Sequence, residues 1–435
     1  MEICAYVQTQ YAKANYKNEC LDSRQFVGLR IIDDCLKRAD YTVDWAGIAS
    51  VHKYDIVLVS ITSDCDWWSF VAERVKWQKG NYKVIVGGAG VLNVRPFLAH
   101  ADYFVLGRGE DQIVPLVKAI EGDIEFDSRS VITSSKFDVN ERYSIAQAIK
   151  PYEHDVPMGD KKFTEANIGC NHRCLFCGYT WHRKSNCKTF KWDSGMYDLS
   201  DKECAMLDYA SGSFDVNWSK LRTTAIDGFS ERMRFSVNKK ITNQTLTDFL
   251  RDMIASDAKP HQVKFFNICG LPDETLDDWQ ELIEVFKSTE ELTTSNGKQW
   301  SVVLHSTPFR PMPATPLACA PMSYRNYRGE IGKVLGKGLK GGIFYQGNTM
   351  WAVESMGTES LPTVIQSAIV WRGTEADTEN VVRLARNKKF NSANTLTKQA
   401  TLEKYFDVKT LFGDFKPDQL PTRYLTTYAD VEKMW

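Results

Sequence analysis

Between Tyr54 and Gly122 the chain alternates unbroken apolar runs with stretches whose apolar residues recur every three or four positions. The runs "YDIVLVSIT" (54–62) and "YKVIVGGAG" (82–90) are rich in β-branched residues and end in small ones, the pattern of strands buried on both faces. Between them, "DCDWWSFVAERVKWQKG" predicts a crossover helix that begins near Asp66 and stops at Gly80. "ADYFVLGRGED" predicts a shorter strand and a glycine turn, and "QIVPLVKAIEG" a closing helix. This order predicts a doubly wound, Rossmann-like domain over residues 1–125, with any ligand at the carboxyl ends of its strands.

The periodicity loosens over residues 126–160, where Pro151 and Pro157 predict a linker. Over residues 161–320 strand and helix patterns alternate again: "KFTEANIG", "LRTTAIDG", a helix in "TNQTLTDFLRDMIASD", "QVKFFNICGLPDE", a helix in "TLDDWQELIEVFKS", and "WSVVLHSTPFRPMP". Polar residues at Thr245 to Asp248 and at Asp273 to Leu276 sit where helix starts are expected. A second α/β unit follows, long enough for a partial barrel. Residues 321–435 change character: "RNYRGEIGKVLGKGLKGG" is glycine-rich and basic, and "VVRLARNKKFNSANTLTKQATLEKYF" predicts a helix. They are read as a smaller C-terminal α+β module that closes over a substrate.

With 435 residues, 43% hydrophobic and 25% charged, composition supports this globular picture and excludes a disordered chain. A formal net charge of -1 argues against nucleic-acid binding by bulk electrostatics but leaves local basic patches open. No run approaches the roughly 18 apolar residues that span a bilayer, and "MEICAYVQTQ" lacks the features of a signal peptide. The expectation is a cytoplasmic protein with no membrane partner. The chain has 11 cysteines, an odd number in a long sequence, so they do not read as a disulfide framework, and the isolated ones are expected to be small buried hydrophobes.

Cys170, Cys174 and Cys177 are not isolated: they fall within "EANIGCNHRCLFCGYTWHRK" (165–184). A Cys-x3-Cys-x2-Cys loop can wrap three corners of a 4Fe-4S cluster and leave the fourth iron without a protein ligand. Zinc competes, with His172 or His182 as a further ligand, although structural zinc prefers closed four-ligand sites. The zinc alternative would make the chain a zinc-stabilised interaction protein without catalysis. His182 otherwise reads as a loop histidine.

The cysteine loop, with Phe176 before its third cysteine and "FTEANIG" before its first, resembles the signature of radical S-adenosylmethionine enzymes. "AIDGFSERMRFSVNKKIT" (225–242) is similar to the stretch that follows the fourth barrel strand in that family, matched at Asp227, Ser230, Glu231, Arg232, Asn238, Lys239 and Thr242. "FFNICGLPDET" (265–275) is similar to the turn after the fifth strand, and "TPFRPMPATPL" (307–317) to the ending of the sixth. The resemblance implies a partial (β/α)6 barrel, a 4Fe-4S cluster on Cys170, Cys174 and Cys177, and S-adenosylmethionine chelating the open iron. It implies reductive cleavage to a 5'-deoxyadenosyl radical that abstracts hydrogen, with an electron donor such as flavodoxin or ferredoxin. Candidate S-adenosylmethionine contacts are Phe176, Gly178, Asp227, Ser230, Glu231 and Gly270. The Gly-Gly-Glu that holds the amino group in the family is absent between Gly178 and Leu221, where "SGMYDLSDKECAMLDYASG" stands.

The order of domains resembles the branch with an N-terminal cobalamin-binding-like domain. Ser60, Thr62, Gly87 and Gly88 match the positions where small residues accommodate a corrin, but the Asp-x-His-x-x-Gly that supplies a lower cobalt ligand is replaced by "YVQTQYAKANYKNE". The implied reaction is a rearrangement or other C-H functionalisation, with cobalamin-dependent methylation as the alternative. A sibling branch, the methylthiotransferases, holds a second cluster on three N-terminal cysteines; Cys4, Cys35 and Cys65 read instead as structural thiols. Arg383, Arg386, Lys388 and Lys389 raise a nucleotide or nucleic-acid base as substrate beside other small molecules, with a solvated basic face as the alternative.

Overall fold

The structure, a computed structural model, describes residues 1–8, 27–147, 151–158, 161–163, 165, 170, 172–181, 203–204, 206–210, 212, 215–289, 300–322, 343–346, 349–352, 361–386, 403–413 and 423–424. The first sheet is formed by β1 (Ile3–Tyr6), α1 (Val27–Arg38), β2 (Val43–Ala46), β3 (Ile56–Ser60), α2 (Asp64–Arg74), β4 (Lys83–Gly87), β5 (Tyr103–Val105), α3 (Glu110–Glu121) and β6 (Val131–Thr133). Its strand order is β2-β1-β3-β4-β5-β6, parallel except where β6 runs against β5. Ile3, Leu58, Ile85 and Val105 face Leu29 and Leu36 of α1 and Leu116 of α3. Tyr6, Val57, Val86 and Phe104 face Trp67 and Phe70 of α2. Helices on both sides bury every residue of β3, which is why its sequence is one apolar run with no alternation.

Two local outcomes differ from the sequence expectation. Helix α2 begins at Asp64, because the Ser63 side chain accepts from the Asp66 backbone while Asp66 accepts from the Ser63 backbone at 2.9 Å. It ends at Arg74, short of Gly80, because the chain turns to bring Trp77 into the core with its ring 4.6 Å from that of Tyr6. The stretch expected as a linker contributes β6, whose Ile132 is buried against the first sheet.

β7 (Arg142–Tyr143), β8 (Val156–Met158) and β9 (Lys161–Phe163) lead to the second sheet, β8 and β9 pairing with each other. The strand expected over 162–169 is described only at Lys162, Phe163 and Glu165, and His182 lies outside the described residues. The second sheet has the order β10-β11-β12-β13-β15-β14. Its elements are α4 (Gly178–Trp181), β10 (Glu203–Cys204), α5 (Met206–Ala210), β11 (Thr223–Ala225), α6 (Glu231–Ser236), α7 (Asn243–Ala255), β12 (Gln262–Cys269), α8 (Leu276–Lys287), β13 (Ser301–Pro308), β14 (Ile343–Gln346) and β15 (Thr349–Ala352). Strands β10 to β13 are parallel neighbours in chain order. Burial alternates along β12: Val263, Phe265 and Cys269 pack with Phe249 and Leu250 of α7 and Trp279 and Leu282 of α8, whereas Phe266 on the opposite face is 38% exposed.

Beyond the second sheet come α9 (Leu361–Arg372), α10 (Glu375–Arg386), α11 (Val408–Phe412) and β16 (Arg423–Tyr424), which pairs with β7. Val370 and Trp371 of α9 belong to the same apolar core as Trp67 and Phe70 of α2. Trp68 Nε1 donates to the Gln366 carbonyl at 3.1 Å, and Asn93 Nδ2 to the Gly373 carbonyl at 3.3 Å. The helix expected from Val381 begins at Glu375, where Asp377 accepts from the Thr374 backbone at 2.8 Å; Lys388 and Lys389 lie outside the described residues. The chain is thus an α/β protein dominated by parallel pairing. Among the described residues no helix is long and apolar enough to cross a membrane.

Candidate functional site

Four stretches far apart in sequence meet at the carboxyl ends of β11, β12 and β13. Phe176 from the cysteine loop packs on a small apolar cluster of Met233, Val237, Leu271 and Phe309, flanked by Leu317. Hydrogen bonds hold the loop to the same elements. The Leu175 N-H donates to the Val237 carbonyl at 2.9 Å, the Leu317 N-H to the Leu175 carbonyl at 3.3 Å, and Asn238 Nδ2 to the Arg173 carbonyl at 2.9 Å. Arg173, Asp227 and Asn238 all adopt positive φ, 51°, 52° and 58°, a conformation that costs a non-glycine residue free energy and persists when its surroundings enforce it.

Cys170, Cys174 and Cys177 are half-buried and in no disulfide. The Cys174 carbonyl accepts from the Cys177 N-H at 3.1 Å and from Trp181 Nε1 at 2.9 Å, which closes the loop tightly around the second cysteine. Burial pushes the Cys174 thiol up to about 12, with Asp227, Cys177 and Cys170 adding to the shift and Lys239 opposing it. The three thiols therefore share one electrostatic neighbourhood with the Asp227–Lys239 ion pair, a pair buried between β11 and the turn after α6. As donors they suit a soft metal centre. Among the described residues, however, no three His, Cys, Asp or Glu side chains stand converged in a metal-holding arrangement.

The remaining candidates occupy two kinds of position. Gly270, at φ 73°, turns the chain after β12, and its N-H donates to Glu274 Oε1 at 3.0 Å. Glu274 also accepts from Trp279 Nε1 at 2.8 Å, and burial pushes its carboxyl up to about 7 against those two hydrogen bonds. Ser230 and Glu231 are engaged in folding the segment between β11 and α7. Ser230 caps α6, accepting from the Met233 N-H at 3.1 Å and donating to Asp278 Oδ1 at 2.5 Å. Glu231 Oε2 accepts from the Asn243 N-H at 2.7 Å. Arg234, which the motif reading passed over, is fully buried at the centre of this segment, donating to the carbonyls of Ile241 at 2.8 Å and Phe229 at 3.1 Å. Burial lowers its guanidinium to about 10. An arginine among apolar residues was the available signal, but its partners are carbonyls that no side-chain pattern announces.

Ser60, Thr62, Gly87 and Gly88 lie apart from the cysteines, around a cavity of about 280 Å³ at the carboxyl ends of β3, β4 and β5. Gly88 has a structural reason: its φ is 116°, and a Cβ there would stand 2.4 Å from the Ile61 carbonyl oxygen. The polar end of the cavity is lined by a network that the motif reading also missed. Arg108 donates to both oxygens of Glu165 at 2.6 Å and lies 2.5 Å from Glu110, while Glu165 Oε2 accepts from the Tyr152 N-H at 2.8 Å. Burial would lower the Arg108 guanidinium, but the two carboxylates outweigh it and hold it above its ordinary range.

The other sequence candidates fall elsewhere. Cys4 is fully buried in β1, its thiol pushed up to about 12 by burial, and Cys35 lies on α1 with its thiol pushed up to about 11 for the same reason. Arg383 and Arg386 line a recess of about 540 Å³ between α10 and the turn at Arg95–His100, together with Glu375 and Glu379.

No protein-family model and no curated protein sequence matches the chain. Among solved structures, one that resembles it is the apo, selenomethionine-labelled form of OxsB, a cobalamin-dependent S-adenosylmethionine radical enzyme. The match covers 94% of this chain at 10% identity with a TM-score of 0.25, and the chain spans 57% of the length of that structure. So slight a likeness carries neither fold nor chemistry over to this chain.

Proposed function

We propose that the chain is a radical S-adenosylmethionine enzyme whose cluster is held by Cys170, Cys174 and Cys177. The observation that carries this reading is the convergence of the cysteine loop with the ends of β11, β12 and β13 through Phe176, Asn238 and Leu317. The turns after β11, β12 and β13 are neighbours in any parallel sheet of this order, but nothing in that order requires the cysteine loop to dock on all three. The three thiols must shed protons and close together as they take up metal, since a site of this kind is completed by its ligand. When loaded, the cluster and S-adenosylmethionine together supply, with one electron from a flavodoxin- or ferredoxin-type donor, a 5'-deoxyadenosyl radical that abstracts hydrogen.

The protein's own residues bind and orient. Asp227 and the backbone at Gly270 stand at strand ends where a nucleoside can be approached, and Phe176 and Gly178 flank Cys177 in the chain, Phe176 packing with Leu271 and Phe309. Lys239 pairs with Asp227 and holds it in place. Ser230 and Glu231 act by holding the α6 segment, and Arg234 locks that segment from beneath. The substrate, a small molecule or a nucleotide, would lie over the exposed face of β12 near Phe266, and its radical would go on to rearrangement or C-H functionalisation.

The test is anaerobic purification with iron, sulfide and zinc analysis, then incubation with dithionite and S-adenosylmethionine. Four irons and four sulfides per chain are expected at full loading, with release of 5'-deoxyadenosine. Cys174→Ala is expected to lose both the brown chromophore and the cleavage. One zinc without sulfide would replace this reading with a zinc-stabilised interaction protein.

A further inference from the structure

The residues just after α6 hold the cysteine loop on both sides of Cys174. The Leu175 N-H donates to the Val237 carbonyl at 2.9 Å, and Asn238 Nδ2 donates to the Arg173 carbonyl at 2.9 Å. Lys239 is the next residue, and it is 6% exposed, a depth that lysine seldom reaches. Its backbone is fixed in turn, the N-H donating to the Arg234 carbonyl at 2.8 Å and the carbonyl accepting from the Ile241 N-H at 2.7 Å. A cation is thus built into the segment that brackets the second cysteine.

The ammonium pairs with Asp227, whose position is set from the other direction. On either side of Asp227, the Ile226 N-H donates to the Phe266 carbonyl at 2.8 Å and the Gly228 N-H to Asn267 Oδ1 at 2.7 Å. The carboxylate is therefore held by the sheet, and the ammonium by the segment that grips the loop. Both side chains are largely out of water, 8% and 16% exposed, so their fields are weakly screened. After burial, the Cys174 thiol responds to Lys239 first and to Asp227 second, which agrees with the cationic end of the pair being the one turned to the cysteine. A buried ion pair carries a desolvation cost that well-packed apolar side chains avoid, so stability alone gives this one little reason.

We propose that Lys239 is a positioning residue for electron entry: its buried ammonium, turned to Cys174, makes the cluster held by Cys170, Cys174 and Cys177 easier to reduce, a role that rests on the reading of those thiols as cluster ligands. Reduction adds one electron, from the flavodoxin- or ferredoxin-type donor, to a site whose thiolates already make it anionic, and a nearby cation favours the more negative state. No bond to Lys239 forms or breaks, and its proton stays in place. Asp227 offsets part of the field, which leaves an effect of about tenfold on the reduction equilibrium, about 59 mV for one electron.

The full chain and its variants are loaded with iron and sulfide anaerobically, and the midpoint potential of the cluster is read by EPR-monitored redox titration. S-adenosylmethionine is left out, so that contact of Asp227 with it does not enter. Lys239→Met combined with Asp227→Asn leaves neither member of the pair charged and is expected to lower the potential by the tenfold shift. Lys239→Arg keeps the charge and is expected to hold the native value. Asp227→Asn alone keeps the ammonium and removes its counter-charge; it is expected to raise the potential, and it gives an opposite shift to read should the double variant take up no cluster. Each comparison alters this pair only and reads its contribution whatever other charges surround the loop. A potential unchanged in the double variant or in Asp227→Asn, a fall in Asp227→Asn, or a fall in Lys239→Arg as large as that of the double variant would each overturn the proposal, the last by assigning the shift to packing. A native chain that takes up no iron and sulfide overturns both this role and the enzyme reading, whereas a loaded cluster indifferent to the pair overturns this role alone.

Discussion

At the scale of single residues, buried charge is where this chain departs from an ordinary α/β core. Glu274 is the case whose consequence is easiest to read. Its carboxyl is raised from 4.5 to about 7 by burial, even though it receives hydrogen bonds from Gly270 and Trp279. Between those pH values the folded chain keeps a proton that the unfolded chain has released, so stability falls as pH rises through that window and levels off above it. Glu274→Gln carries no such proton. The Tm of the native chain should therefore drop relative to that of the variant as pH rises from about 4.5 to about 7, and equal pH slopes for the two proteins would contradict the placement of Glu274. Such effects lay outside what the sequence displays: "GLPDET" reads as a turn, and nothing in it tells that Trp279, five positions on, folds back over the carboxylate.

At the scale of elements, most of what the chain does was visible in its periodicity. β3, β4, β12, α7 and α8 fall within their expected stretches, because apolar spacing and polar caps act within a few neighbouring residues. The early end of α2 and the unexpected β6 depend on Trp77 meeting Tyr6 and Ile132 meeting Phe104, contacts that no local window contains, whereas the start of α2 is set locally by the Ser63–Asp66 cap. The same holds for the joint between elements at Asp64. This buried carboxylate at the start of α2 is paired with Arg310, beyond β13, and accepts from the Ser367 hydroxyl of α9 at 2.6 Å. Asp64→Asn removes a buried carboxylate that pairs with Arg310 and accepts from Ser367, and is expected to lower stability by about 2 kcal/mol or more. Replacing Arg310 by Met in the same chain should cost less than it does in the native chain, since the Asp64–Arg310 interaction is already lost. Calorimetric Tm values for the two single variants and the double variant decide it; additive losses would show that Arg310 and Asp64 act independently.

At the scale of the whole molecule, the described C-terminal helices are part of the first unit's core. Val370 and Trp371 fill the layer that holds Trp67, Phe70 and Phe97, and Trp68 is pinned to the Gln366 carbonyl. Arg372, itself buried, donates to the carbonyls of Ala318 at 3.0 Å and Gly413 at 2.8 Å, so α9 also grips the segment that follows β13. That segment contacts the cysteine loop through Leu317 and Leu175. A continuous path of packed groups therefore runs from α2 through α9 to the loop that carries the thiols, and the C-terminal part stabilises both sheets whatever else it does. A chain ended after Ala352 keeps both sheets but loses α9 to α11 and β16. It should expose the apolar face of α2, bind the dye ANS, and unfold at a lower temperature than the full chain. Because Leu317 would lose the support of Arg372, cluster loading per chain should fall along with Tm. A truncated protein that stays monomeric, leaves ANS dark and takes up iron and sulfide as the full chain does would make α9 and α10 an independent appendage.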